Sequence, residues 1–106
     1  MAFYQIKAPA IAGTLESSDI QIMIDAKEED GIEIDLTSNV QHQYGRQIRQ
    51  TIEHTLQNMG ITKAKLTVVD KGALDCTIVA RTIAAVHRSC GITQEYDWEA
   101  IDTWSV

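Results

Sequence analysis

Hydrophobic and polar positions alternate along the first third of the chain, and the period then changes. Ile11, Gly13 and Leu15 recur at every second position, as do Ile20, Ile22 and Ile24. A period of two puts one set of side chains on one face of a strand. Between the two sets lies Glu16-Ser17-Ser18-Asp19, rich in turn formers. The spacing predicts a hairpin over residues 10–25 with Ser17 at its exposed tip. A charged loop, Ala26 to Gly31, leads to Ile32, Ile34 and Leu36, which alternate with Glu33 and Asp35. That is a strand with one wet face.

The period then lengthens. Val40, Tyr44, Ile48, Ile52, Leu56 and Met59 recur at helical spacing. Ser38 with Gln41 makes a capping-box pattern, Gly60 is a natural stop, and Gly45 weakens the helix locally by about 1 kcal/mol relative to alanine. Lys65 to Val69 reads as a further strand with Leu66 and Val68 facing in, and Asp70-Lys71-Gly72 turns the chain. Ala73 to Ser89 reads as a second helix ended by Gly91, with Cys76, Val79, Ala80, Ile83 and Val86 on its apolar face. The start of that stretch also alternates (Leu74, Cys76, Ile78, Ala80), which leaves a strand there open. The order β-β-β-α-β-α implies a small single α+β domain over residues 1–106, its antiparallel or mixed sheet carrying two helices on one face. The ends, 1–9 and 92–106, read as flexible or partner-docking termini.

Composition narrows the function. The chain has 106 residues, 44% of them hydrophobic, which suits one folded domain. Its formal net charge is −6. An acidic surface repels nucleic-acid backbones and anionic lipids and attracts a protein with a basic patch. No apolar run approaches the roughly 20 residues that span a bilayer, and the N-terminus lacks the pattern of a secretory signal. The expected setting is the cytoplasm, where Cys76 and Cys90 stay reduced.

No familiar catalytic constellation appears. There is no glycine-rich phosphate loop, no Gly-x-Ser-x-Gly elbow and no Cys-x-x-Cys pair. His42, His54 and His87 are separated and read as surface histidines. Asp19, Asp70 and Asp75 suit turns and caps better than a metal cage. Cys76 reads as a packed thiol on the apolar face of the second helix, with no histidine at useful spacing to activate it. Cys90 lies near the helix end. The tail carries Tyr96, Trp98, Ile101 and Trp104 among four acids, a pattern that fits partner docking and folding back on the domain equally.

Two stretches carry more information. AGTLESSD (Ala12 to Asp19) and DKGALDC (Asp70 to Cys76) resemble the signatures of the citrate lyase acyl carrier protein family. Val40 to Ile48, with its Tyr-Gly pair, is similar to the aromatic-glycine segment early in that family's central helix. The resemblance spans roughly residues 8–90. It implies that Ser17 bears 2'-(5''-phosphoribosyl)-3'-dephospho-CoA through a phosphodiester. Ser18 is the adjacent alternative, which residue physics does not separate from Ser17. It also implies three partners: an alpha subunit that transfers the acyl group, a beta subunit that cleaves citryl thioester, and a prosthetic-group transferase. Acetate leaves in the first step and oxaloacetate in the second.

On this reading the chain is a non-catalytic phosphoprotein carrier in citrate fermentation, and the reactive thiol belongs to the cofactor. Fatty-acid carriers, by contrast, are all-helical and place their serine in an Asp-Ser-Leu motif that is absent here. Three other readings compete. They are a small-ligand regulatory module without a covalent cofactor, an enzyme using Cys76, and the carrier of a related malonate decarboxylase.

Overall fold

The computed structural model describes Ile6, residues 8–38 and residues 41–90. The aromatic tail, the stop at Gly91, Val40 and most of the segment 1–9 lie outside these residues. Six elements follow in order: β1 (Ala10–Ala12), β2 (Ile20–Asp25), β3 (Gly31–Ser38), α1 (Gln41–Asn58), β4 (Lys63–Asp70) and α2 (Asp75–Ser89). The β-β-β-α-β-α order and the α+β class hold, and α2 is helical from Asp75 onward.

The strands form one mixed sheet in the order β1-β2-β4-β3. β2 pairs antiparallel with β1 and β4, while β4 runs parallel to β3. α1 supplies the crossover that a parallel pair requires. Register lines up the apolar positions: Ile22 opposes Val68, which opposes Leu36, and Ile24 opposes Leu66, which opposes Ile34. These rows meet Ile48, Ile52, Leu56 and Met59 of α1 and its end, and Ile78, Val79, Ile83 and Val86 of α2. Each buried isoleucine or leucine contributes about 1.5–3 kcal/mol relative to exposure.

The sheet edges are covered by arginines from the helices. Arg49 of α1 donates to the Ile34 carbonyl of β3 at 2.7 Å, and Arg88 of α2 donates to the Ile11 carbonyl of β1 at 2.6 Å. Unpaired edge carbonyls thereby gain partners, which blunts edge-to-edge association. At the N-terminal side, the Ala8 N–H donates to the Ser89 carbonyl and the Ser89 hydroxyl donates to the Ala8 carbonyl.

Several expected details differ. β1 ends at Ala12, so Leu15 belongs to the connection and not to the strand. Ala10 and Ala12 point inward, leaving Ile11 exposed. Ser38 does not open α1. It closes β3, and its hydroxyl donates to Asp70 at 2.8 Å. Tyr44 is exposed despite its helical spacing.

On α2, Val79, Ile83 and Val86 are buried as expected, but the rest of the face differs. Ile78, Thr82, Ala85, Val86 and Ser89 are buried, whereas Cys76 and Ala80 are exposed. Thr82 tolerates burial because its hydroxyl donates to the Ile78 carbonyl at 2.7 Å. The periodicity missed this because threonine and serine scored as polar. Of the histidines, His54 is exposed, but His87 is buried.

Candidate functional site

The connection between β1 and β2 and the connection between β4 and α2 lie side by side. The Ser18 N–H donates to the Lys71 carbonyl at 2.8 Å, and the Lys71 N–H donates to the Asp19 carbonyl at 2.9 Å. The two segments singled out in the sequence, Ala12–Asp19 and Asp70–Cys76, are thus extended into one another beyond the end of the β2–β4 ladder.

The first connection is a braced turn. The Asp19 N–H donates to the Glu16 carbonyl at 3.2 Å, which closes a four-residue turn with Ser17 and Ser18 at its centre. Ser18 has a φ of 64°, the left-handed value that the third position of a type II turn requires. Before the turn, Gly13 has a φ of 88°, and a Cβ there would lie 1.8 Å from the Ile20 carbonyl oxygen. Only glycine lets the chain pass this close.

Asp19 holds the turn from within. Its Oδ2 accepts from the Thr14 N–H at 3.1 Å and the Thr14 hydroxyl at 2.6 Å. Its Oδ1 accepts from its neighbour's N–H, Ile20, at 2.7 Å. Arg81 of α2 grips both oxygens, Nε to Oδ1 at 3.1 Å and Nη2 to Oδ2 at 2.9 Å. The Arg81 and Thr14 hydrogen bonds hold the Asp19 carboxyl well below the usual carboxylate range. A bidentate guanidinium is the geometry that suits a carboxylate best.

Asp70 does the same for the second connection. Its Oδ1 accepts from the Ala73 N–H at 3.0 Å, and its Oδ2 accepts from the Gly72 N–H at 3.1 Å and from Ser38. Asp75 accepts from the Gln47 side chain at 3.0 and 3.2 Å, tying α2 to α1. The three aspartates therefore serve as braces for turns and helices. Among the described residues no cluster of three or more His, Cys, Asp or Glu is arranged to hold a metal ion.

Ser17 and Ser18 are both exposed. They differ in the backbone: Ser18 is held by its N–H bond to Lys71 and has a positive φ, whereas Ser17 takes the second position of the turn. Among the described residues, neither hydroxyl makes a hydrogen bond. Cys76 lies in the first turn of α2 as an exposed free thiol, and Cys90 is half-buried at the helix end. The braces Arg81 and Thr14 were not anticipated. Arg81 lies 62 positions from Asp19, and no local pattern connects them.

The family model described as "Malonate decarboxylase delta subunit (MdcD)" matches residues 7–89. The class is thus that of small acyl carrier subunits with this α+β fold. Within it, the chain belongs to the family of citrate lyase acyl carrier proteins. It is 57% identical over 101 residues to the citrate lyase acyl carrier protein of Streptococcus pyogenes serotype M5 (strain Manfredo), covering 95% of this chain and 98% of that one. The serotype M18 protein is 56% identical over the same length. In fold, a chain of the crystal structure of a Pseudomonas malonate decarboxylase hetero-tetramer in complex with malonate superposes with a TM-score of 0.58 at 15% identity, covering 82% of this chain and 89% of that one. A homoserine kinase from Cytophaga hutchinsonii gives the same TM-score at 12% identity, with 94% of this chain matching 39% of the kinase. At such identities both neighbours speak only to the fold.

Proposed function

We propose that this chain is the acyl carrier subunit of a citrate lyase and that Ser17 carries a covalently attached phosphoribosyl-dephospho-CoA. The observation that carries the reading is the Ser17 hydroxyl. It is exposed, unbonded among the described residues, and mounted on a turn braced by Asp19 and Lys71. A carrier serine has to be reachable by another enzyme without itself being a nucleophile of raised reactivity.

The residues fit a phosphodiester at this position. The Asp19 charge next to the turn is neutralised by Arg81, so it does not repel a phosphate, and an exposed turn leaves room for a bulky group. When attached, the group supplies the thiol on which the acetyl or citryl thioester forms. The chain itself supplies a tether, which raises the effective concentration of the acyl group at two successive active sites. It contributes no catalytic side chain. Its partners are the alpha acyl transferase, the beta citryl lyase and the prosthetic-group transferase, all cytoplasmic. Together they convert citrate to acetate and oxaloacetate.

The test is the intact mass of the protein purified from its native host grown on citrate, followed by peptide mapping. An adduct of the prosthetic group's mass on the peptide containing Ser17, lost in Ser17→Ala and retained in Ser18→Ala, is the expected result. An unmodified protein from cells with active lyase overturns the reading.

A second reading, the carrier of a malonate decarboxylase, is favoured by the family model that matches residues 7–89. The higher identity to citrate lyase carriers weighs against it. Reconstitution decides between them: the loaded chain restores a carrier-depleted citrate lyase on the first reading and a carrier-depleted malonate decarboxylase on the second.

A further inference from the structure

Among the described residues, five large apolar side chains are exposed: Ile11, Leu15, Met23, Tyr44 and Leu74. Ile11 and Met23 are paired across β1 and β2 on the sheet face away from the helices. The other three are grouped at the end of the molecule that bears Ser17. Leu15 is 55% exposed, two residues before Ser17. Leu74 is 70% exposed on the segment that the Ser18–Lys71 and Lys71–Asp19 hydrogen bonds join to that turn. Tyr44 shares with Leu74 the rim of a groove of about 440 Å3 between the N-terminal ends of α1 and α2, with buried Ile48 and Ile78 among its lining residues.

Leu74 breaks a local rule. It occupies the N-cap of α2 in an extended conformation and makes no side-chain cap hydrogen bond. Serine, threonine, aspartate or asparagine is favoured there, and leucine is among the poor choices. Nor does Leu74 contribute to the core. A residue that neither caps nor packs, and that leaves apolar surface in water, points to a contact outside the chain.

We propose that Leu15, Leu74 and Tyr44 form the docking surface for the enzyme that loads Ser17, an inference that rests on the carrier reading of that serine. An enzyme that reaches the Ser17 hydroxyl approaches Leu15 on the same connection and Leu74 on the segment bonded to it. The fitting partner surface inserts apolar side chains at Leu15 and into the Tyr44–Leu74 groove. Basic groups at its rim match the exposed Glu16 and Asp75.

The experiment measures attachment kinetics by mass gain, using the full apo chain, the prosthetic-group transferase and its activated phosphoribosyl-dephospho-CoA donor. The variants are Leu15→Ser and Leu74→Asn, with Ile11→Ser and Met23→Ser as controls on the far face. The expected result is a KM for the carrier raised about tenfold by each of the first two, with kcat unchanged and the controls at wild-type values. Leu74→Asn adds a second readout, because asparagine caps α2 and is expected to keep or raise Tm while docking weakens. Loss of affinity with gain of stability separates docking from misfolding. Wild-type KM in Leu15→Ser and Leu74→Asn, with wild type still loaded at Ser17, overturns this proposal alone, as does an equal rise in the controls. A wild-type chain that is not loaded at Ser17 overturns the carrier reading and this inference with it.

Discussion

Arg81 reaches from the middle of α2 to grip both carboxylate oxygens of Asp19, at 3.1 and 2.9 Å, and so fastens the Ser17 turn to the helical layer. The Asp19 side chain is only 12% exposed, whereas Arg81 remains 38% exposed. Water therefore weakens the pair without abolishing it. Arg81→Met is expected to cost about 2 kcal/mol, the value of charge-assisted hydrogen bonds with a nearly buried carboxylate left behind. Urea unfolding measures this, and an unchanged midpoint would show that the clamp adds nothing. Because the folded pKa of Asp19 lies below its ordinary 3.8, its contribution is present above that pH and is lost as pH falls below it. Asp19→Asn should flatten this part of the acid-unfolding curve.

Gly13 and Gly72 both have positive φ, 88° and 91°, yet alanine should affect them unequally. At Gly72 a Cβ meets nothing within 4 Å, so Gly72→Ala carries only the left-handed penalty, about 1 kcal/mol. At Gly13 the Cβ would collide with the Ile20 carbonyl at 1.8 Å, and backbone must move. Gly13→Ala is expected to cost on the order of 3 kcal/mol or more and to displace the Ser17 turn. Equal thermal shifts for the two variants would contradict the geometry.

His87 is buried, and burial pushes its pKa below the ordinary 6.5. The unfolded chain then binds the proton first as pH falls. Stability from this group is complete above about pH 6.5 and declines below it, by at most about 1.4 kcal/mol per pH unit. Unfolding curves from pH 7.5 to pH 5 should show this loss, and His87→Leu should remove it. A wild-type stability that rises on acidification over that range would refute the assignment.

Cys76 is exposed in the first turn of α2. Iodoacetamide at pH 8 should label it ahead of the half-buried Cys90, with no change in Tm. On the carrier reading, the labelled protein and Cys76→Ser are both loaded at Ser17 at wild-type turnover. Loss of the complex's activity in Cys76→Ser, with loading intact, would favour a catalytic thiol instead.

The one-dimensional pattern was sufficient for much of the fold. Alternation at Ile20–Ile24, Ile32–Leu36 and Leu66–Val68 fixed which faces of β2, β3 and β4 are buried, because the side-chain period of a strand is two and any slip exposes the whole set. The apolar repeat from Ile48 to Met59 did the same for α1. The Ser17 turn was legible in Glu16-Ser17-Ser18-Asp19, since turn formers are local by nature. Where a polar helix residue was buried the pattern failed, as at Thr55, Thr82, Ser89 and His87. Their burial is set by which helix face meets the sheet and, for Ser89, by the distant Ala8 carbonyl that its hydroxyl reaches.

Local patterning accounts for the set of elements, the inward faces of most of them, and the turn at Ser17. The assembled fold adds that β4 inserts between β2 and β3, that Arg81 neutralises Asp19, and that the turn at Lys71 braces Ser18. The difference is one of range. Strand and helix periods follow from covalent geometry over a few residues. Strand order and the Arg81–Asp19 pair depend instead on how whole elements settle against one core, across separations that carry no local signal.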